Sequence, residues 1–210
     1  MGKEFIAKVI HIKFKEQGVI HMDYIYTGID NFRIRYAERE DTELILWFIK
    51  ELAIYEEELP QVTATAETLE ESLFDRNGAE VLIGEYCGKP ACFALFFHNF
   101  STFQGRPGIH LVDLYVIPEM RGKGIGKTVL AYLAKLTEDR NCGRLEWWVH
   151  DWNESAAKLY RSLGAFKVDN LRIYRMCGDE LETFAKATVP DWVDAQIIAV
   201  DGAIQGGCHE

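Results

Sequence analysis

Long apolar runs are missing from this 210-residue chain. No stretch approaches the ~20 residues of a membrane-spanning helix. The richest run, Ala91 to Phe97, has the length of a buried strand, so a membrane location is not expected. The first 25 residues are interrupted by charges and lack the apolar core of a secretory signal. The five cysteines, at 87, 92, 142, 177 and 208, form no CxxC pair. That argues against a thiol-ligated metal or a disulfide framework and leads to the expectation of a cytoplasmic protein with reduced thiols and no metal. Basic excess is lacking as well. Lys and Arg number 23 against 33 Asp and Glu, for a net charge of −10. Nucleic acid, which demands a basic face, is therefore not an expected partner. A negative field suits a cationic small molecule, and it equally suits plain solubility. No internal repeat or low-complexity linker is evident.

What is present reads as one ordinary soluble globular domain, at 48% hydrophobic and 27% charged residues. Arg33 to Ala37 looks like the first core strand. Asp41 opens a helix with Leu44, Ile45, Phe48, Ile49 and Leu52 on one stripe. Thr68 to Phe74 is a second, shorter helical pattern. Val81 to Tyr86, a Gly88-Lys89 turn and Ala91 to Phe97 read as a hairpin. A strand over 111–117, a helix, a strand over Leu145 to Val149, a second helix and a closing strand over Leu171 to Met176 complete the order. Strands in series, then alternating with helices, predict an α/β mixed sheet with helices on both faces. Residues 1–30 form an N-terminal extension of unassigned role in which Val9 to Lys15 is strand-like and Met22 is a possible internal start. Residues 31–180 form the core domain. Residues 181–210, with Gly202, Gly206 and Gly207, are expected to fray.

The most informative segment runs from Leu111 to Thr128. An apolar strand ends at Pro118, and Arg121-Gly122-Lys123-Gly124-Ile125-Gly126-Lys127 leads into a helix. Glycines here let backbone N–H groups crowd an anion at a helix N-terminus. The nucleoside triphosphate loop fails, because Arg121 occupies its first glycine position. The dinucleotide fingerprint fails too, because Gly122, Gly124 and Gly126 are evenly spaced. Arg-x-x-Gly-x-Gly fits. Downstream, Asn153 reads as a helix cap, Ala156, Leu159, Tyr160 and Leu163 recur at helical spacing, and Gly164 stands where a helix ends.

The loop and the Asn-x-x-Ala-x-x-x-Tyr segment together resemble the GNAT family of N-acetyltransferases. Ile49 to Glu56, Phe96 to Phe103 and Asp151 to Glu154 are similar to its diamine acetyltransferase branch, which contains spermidine/spermine and thialysine acetyltransferases. The likeness spans about 33 to 178. It implies a central, mostly antiparallel sheet with a splayed strand pair, acetyl-CoA as cosubstrate, and a homodimer. It implies that Leu114, Tyr115 and Val116 hold the pantetheine by backbone hydrogen bonds. It further places the pyrophosphate on Arg121, Gly122, Lys123, Gly124, Ile125, Gly126 and Lys127, and the rest of the cofactor against Asn153, Ala156 and Tyr160.

Transfer of an acetyl group to an amine needs a neutral amine, a stabilised oxyanion and a proton for the leaving thiolate. The resemblance makes Tyr160 the proton donor and the Val116 N–H the oxyanion donor. On spacing alone, Tyr160 reads as a core aromatic and Asn153 as a simple cap. Tyr55, Glu56, Glu146 and Trp148 match substrate-side positions of the branch, with Asp113 beside the acceptor amine. The bland alternative for Tyr55-Glu56 is a solvated acidic helix end.

The base departs from the pattern. Where the branch carries Leu-Glu-Asp, this chain reads Leu111-Val112-Asp113. Strand alternation puts Asp113 on the face opposite Val112 and His110 on the face of Val112. Three outcomes stay open: Asp113 acts alone, His110 or Glu146 acts through water, or the reaction is lost or redirected. The expected function is acetyl transfer from acetyl-CoA directly to a primary amine of a diamine, polyamine or lysine analogue. A protein or peptide N-acetyltransferase and a catalytically silent CoA-binding module are the alternatives.

Overall fold

A computed structural model describes residues 24–188. The strand expected at Val9 to Lys15, the proposed start at Met22 and the glycine-containing end of the tail lie outside the described residues. The chain divides into two compact units, Met1–Asn153 and Glu154–Glu210.

The first unit is built on a six-stranded sheet in sequence order. Its strands are β1 (Ile25–Tyr26), β2 (Phe32–Tyr36), β3 (Glu80–Tyr86), β4 (Lys89–Ser101), β5 (Arg106–Val116) and β6 (Leu145–Trp147). β1 to β5 pair antiparallel, and β6 pairs parallel to β5. The expected mixed sheet is thus observed. The sheet begins earlier than residue 31, because β1 pairs with β2 through Ile25–Ile34.

Helix α1 (Thr42–Tyr55) covers one face. Its apolar stripe seats Ile45 and Phe48 among Leu73, Val81, Ile83, Phe93 and Tyr115, all buried. Phe48 stacks on Phe93 at 5.1 Å and meets Tyr115 edge-on at 6.4 Å. A short helix α2 (Ala66–Glu70), capped by Thr65, leads into a wider turn over Glu71–Asp75. Helix α3 (Ile125–Asp139) packs on β4 and β5, and Tyr132 on it meets Tyr36 of β2 through their hydroxyls at 3.4 Å.

Three local expectations shift. The β3–β4 turn sits at Cys87-Gly88, both with positive φ (51° and 76°), one residue before the expected Gly88-Lys89. Tyr86 pairs with Lys89, so this is a two-residue hairpin loop, whose twist matches the right-handed twist of the flanking strands. β5 starts at Arg106 rather than 111. Pro107 and Gly108 look like turn residues, yet Gly108 is there because a Cβ would lie 2.5 Å from the Asn99 side chain. β6 ends at Trp147, two residues short of the expected Val149.

The second unit contains α4 (Glu154–Ser162) and α5 (Gly178–Thr188). α4 ends in a Schellman motif, with Gly164 N–H on Arg161 C=O and Ala165 N–H on Tyr160 C=O, as the sequence indicated for Gly164. Leu171 to Met176 is not a strand. It makes no ladder among the described residues, and Leu171, Ile173 and Tyr174 are exposed. α5 occupies part of the segment expected to fray.

The sheet is pinned at its edge by a buried charge network. Arg35 donates to Glu85 at 2.9 Å and to both oxygens of Asp41 at 2.6 and 2.8 Å, while Arg33 donates to Glu85 at 2.8 Å. Arg35 thereby ties β2 and β3 to the start of α1. Removing it leaves Asp41 without its guanidinium partner and the buried Glu85 with Arg33 alone. Arg35→Ala is expected to cost ~3–5 kcal/mol in urea unfolding, against under ~1 kcal/mol for the more exposed Arg33→Ala. Equal losses would contradict this assignment.

Candidate active site

The sheet opens where β5 leaves β6. Ladder pairing between them ends at Leu111–Trp147, although β5 runs on to Val116. Ile117 donates its N–H to Ala91 on the β4 side, at 3.0 Å. Neighbouring residues of a strand point their N–H groups to opposite sides, so Val116 directs its N–H into the gap. Its carbonyl accepts the Arg121 Nε–H at 2.9 Å.

The same strand holds an irregularity. Phe97 pairs with His110, Phe96 with Leu111, and Leu95 with Asp113, which leaves Val112 as an extra residue. This is a β-bulge. Directly paired residues share a face, and Leu95 and Phe97 lie two apart on β4. His110 and Asp113 therefore share the α1 face. Simple alternation would have put them on opposite faces, and the extra residue at Val112 is the physical reason that it fails. Val112 itself is 46% exposed.

Asp113 consequently faces the end of α1, where Tyr55 is the last helical residue and Glu56 follows. Burial away from water, and then the charge of Glu56, push the Asp113 carboxyl up to about 6. Burial also raises Glu56, with Glu58 adding to the effect and His150 opposing it. His150 Nε2 lies 3.9 Å from Glu56 Oε1. Its ring stacks on Trp152 at 5.7 Å, and Trp152 packs against Tyr55 at 5.7 Å. Glu56, Glu58 and His150 each bring a polar side-chain atom within 4.8 Å of the others, which is proximity suited to a cation.

The loop after β5 is aligned with this cluster. The Arg121 guanidinium lies 4.8 Å from the Tyr55 ring centroid and 5.3 Å from that of Tyr115. Gly122 and Gly124 adopt φ of 75° and 82°, left-handed values that side chains resist, and Gly124 is the N-cap of α3. Backbone amides at a helix start, with Arg121, Lys123 and Lys127 exposed around them, suit a phosphorylated ligand. Leu114, Tyr115 and Val116 precede the loop on β5. The buried Tyr115 ring belongs to the core, which leaves its backbone for any ligand.

Glu146 and Trp148 gather around His110. Glu146 pairs with His110 in register, accepts from Asn99, and forms an ion pair with Arg144 at 2.9 Å. Trp148 meets the His110 ring edge-on at 4.7 Å, with Phe97 on it at 5.1 Å. Burial lowers His110 below the ordinary imidazole value, against the pull of the Glu146 carboxylate 3.9 Å from its Nδ1. Asn153 ends the first unit, at the N-cap position of α4. Ala156 and Tyr160 sit on α4 in the second unit.

A family model described as acetyltransferase (GNAT) family matches residues 42–165. The chain belongs to this family. GNAT acetyltransferases use acetyl-CoA, and the gap, the Val116 amide and the glycine loop fit that cosubstrate. A thialysine N-epsilon-acetyltransferase of Caenorhabditis elegans is 34% identical over 160 residues, covering 74% of this chain and 98% of the relative. One from Bos taurus is 37% identical over 141 residues, covering 63% and 82%. Among solved structures, an integron cassette protein from the mobile metagenome of V. cholerae has a TM-score of 0.63 at 26% identity, covering 74% of this chain and 98% of that one. This GNAT member carries two site residues that sequence reasoning did not single out, His150 and Trp152. Their signal was an aromatic-flanked histidine, Trp148-Val149-His150-Asp151-Trp152.

An aspartate held above its unfolded value binds its proton more tightly when folded. The resulting stability is complete below the unfolded value near 4 and is lost as pH rises through about 6. Asp113→Asn is therefore expected to gain on wild type as pH rises from 5 to 8, by about 1.4 kcal/mol in urea unfolding. Parallel pH dependences would show that Asp113 is not held in this way.

Proposed function

We propose that this GNAT protein transfers an acetyl group from acetyl-CoA directly to a primary amine of a small molecule, such as a diamine, polyamine or lysine analogue. The observation that carries the reading is the Asp113–Glu56 pair, set by the Val112 bulge four residues before the gap-facing Val116 amide. A carboxylate with a value near 6 is ionised at neutral pH and still basic enough to take a proton from an acceptor ammonium. Glu56 and Glu58 attract the cation. The amine nitrogen then bonds to the acetyl carbon, the carbon–sulfur bond breaks, and the Val116 N–H stabilises the oxygen. Tyr160 protonates the departing thiolate.

The relatives support the acceptor class. Besides the thialysine enzymes, an L-ornithine N5-acetyltransferase of Arabidopsis thaliana is 35% identical over 99 residues. Arg121, Gly122, Lys123, Gly124, Ile125, Gly126 and Lys127 hold the pyrophosphate in this reading, and Asn153, Ala156 and Tyr160 contact the cofactor from the next helix. The resemblance to the diamine branch further supports a cytoplasmic homodimer. Among the described residues no helix is long and apolar enough to cross a membrane.

One feature favours a second reading. The exposed Val112 stands where the branch carries a carboxylate, which is what a silent CoA-binding module would show. A thiol-release assay with acetyl-CoA and a panel of diamines, lysine analogues and peptides separates the readings. Turnover on a small amine is expected. Tight CoA binding with no turnover on any amine would overturn the enzyme reading, and preference for peptides would replace the acceptor. Tyr160→Phe is expected to lower kcat at least tenfold with little change in acetyl-CoA affinity; an unchanged kcat would remove Tyr160 from the donor role.

A further inference from the structure

We propose that His150 is the specificity residue of the acceptor site, selecting acceptors whose far end is a zwitterionic α-amino acid over diamines of the same length. The inference rests on the amine-acetylating reading above and adds to it the residue that chooses between its acceptor classes.

The first observation is positional. The His150 ring is held face-on against Trp152, which is itself packed on Tyr55. The ring nitrogen is thereby kept 3.9 Å from Glu56 rather than swinging in solvent. The side chain is still 41% exposed, so a ligand can reach it. The second observation is the mixture of groups. Two carboxylates and one imidazole converge within 4.8 Å.

A site made for the far ammonium of a diamine needs carboxylates alone. An imidazole among them competes for a carboxylate that the ammonium wants, and when protonated it repels the ammonium outright. For a plain diamine it is an unfavourable element, and such elements are how sites reject competitors. An α-amino acid end carries an ammonium and a carboxylate on one carbon. The ammonium pairs with Glu56 and Glu58, and the carboxylate accepts from the His150 ring N–H, each a charge-assisted hydrogen bond. The same residue thus penalises one acceptor and rewards the other. Asp113, deeper on β5, stays free to serve the reacting amine.

The test compares L-ornithine with 1,4-diaminobutane, which differ by the α-carboxylate alone, in buffer containing a metal chelator. Wild type is expected to prefer L-ornithine in kcat/KM. His150→Ala is expected to lower the L-ornithine to diaminobutane ratio at least tenfold, mainly through the KM for L-ornithine, with the KM for acetyl-CoA unchanged. His150→Arg, which keeps a donor and a positive charge, is expected to retain the preference. An unchanged ratio in His150→Ala, or a wild-type preference for diaminobutane, overturns the inference and leaves amine acetylation standing. If wild type acetylates neither compound, the acceptor reading fails separately. Calorimetric titration of L-ornithine into the CoA-saturated protein then decides the role of His150: at least tenfold weaker binding in His150→Ala supports it, and equal or absent binding overturns it.

Discussion

One extra residue in a strand organises the site. Val112 has no partner of its own across β4, and the ladder resumes one step out of phase beyond it. Three consequences follow from that insertion. Asp113 turns to the face covered by α1, beneath the acidic end of the helix. His110 comes to share that face and is enclosed by Phe97 and Trp148. Pairing with β6 ends beside the bulge, at Leu111–Trp147, so the last part of β5 presents its outer edge to an open gap. A bulge that re-aims a side chain next to a reactive site is a recurrent use of this distortion.

The scaffold is stiff where the site needs it to be. The Phe48, Phe93 and Tyr115 rings lock α1 to the centre of the sheet, and the Arg35 network anchors the start of the same helix to β2 and β3. The end of α1, bearing Tyr55 and Glu56, is therefore placed by contacts at its middle and its beginning. Arg121 joins the two halves of the site. Its Nε–H binds the Val116 carbonyl, and its guanidinium lies over Tyr55 and Tyr115. The loop suited to phosphate and the acidic acceptor cluster are thus mechanically linked through one side chain.

Much of this was legible in the sequence, for identifiable reasons. The glycine loop could be read by counting, because left-handed backbone at a helix start leaves few alternatives to Gly122 and Gly124. The α1 stripe and the Gly164 stop were legible because helical periodicity and capping are local. The bulge was not legible. Nothing in Leu111-Val112-Asp113 marks a register change, which exists only relative to Leu95 and Phe96 on another strand, and alternation assigned His110 and Asp113 to the wrong relative faces. The early part of β5 was hidden behind Pro107 and Gly108, whose turn-like character answers a close approach of Asn99 and Arg144. His150 escaped notice because its importance comes from Glu56, almost a hundred residues away. Leu171 to Met176 has strand composition, but composition does not supply a partner.

The central claim is that Asp113, held against Glu56, takes the proton from an ammonium that binds charged. The pH profile of kcat/KM for the amine tests it most directly. If Asp113 is the base, kcat/KM rises through about 6 and then levels off well below the value of the free amine near 10, and Asp113→Asn abolishes the break. A profile that climbs without a break toward the amine's own value, or a break near 6 that survives in Asp113→Asn, would contradict the account.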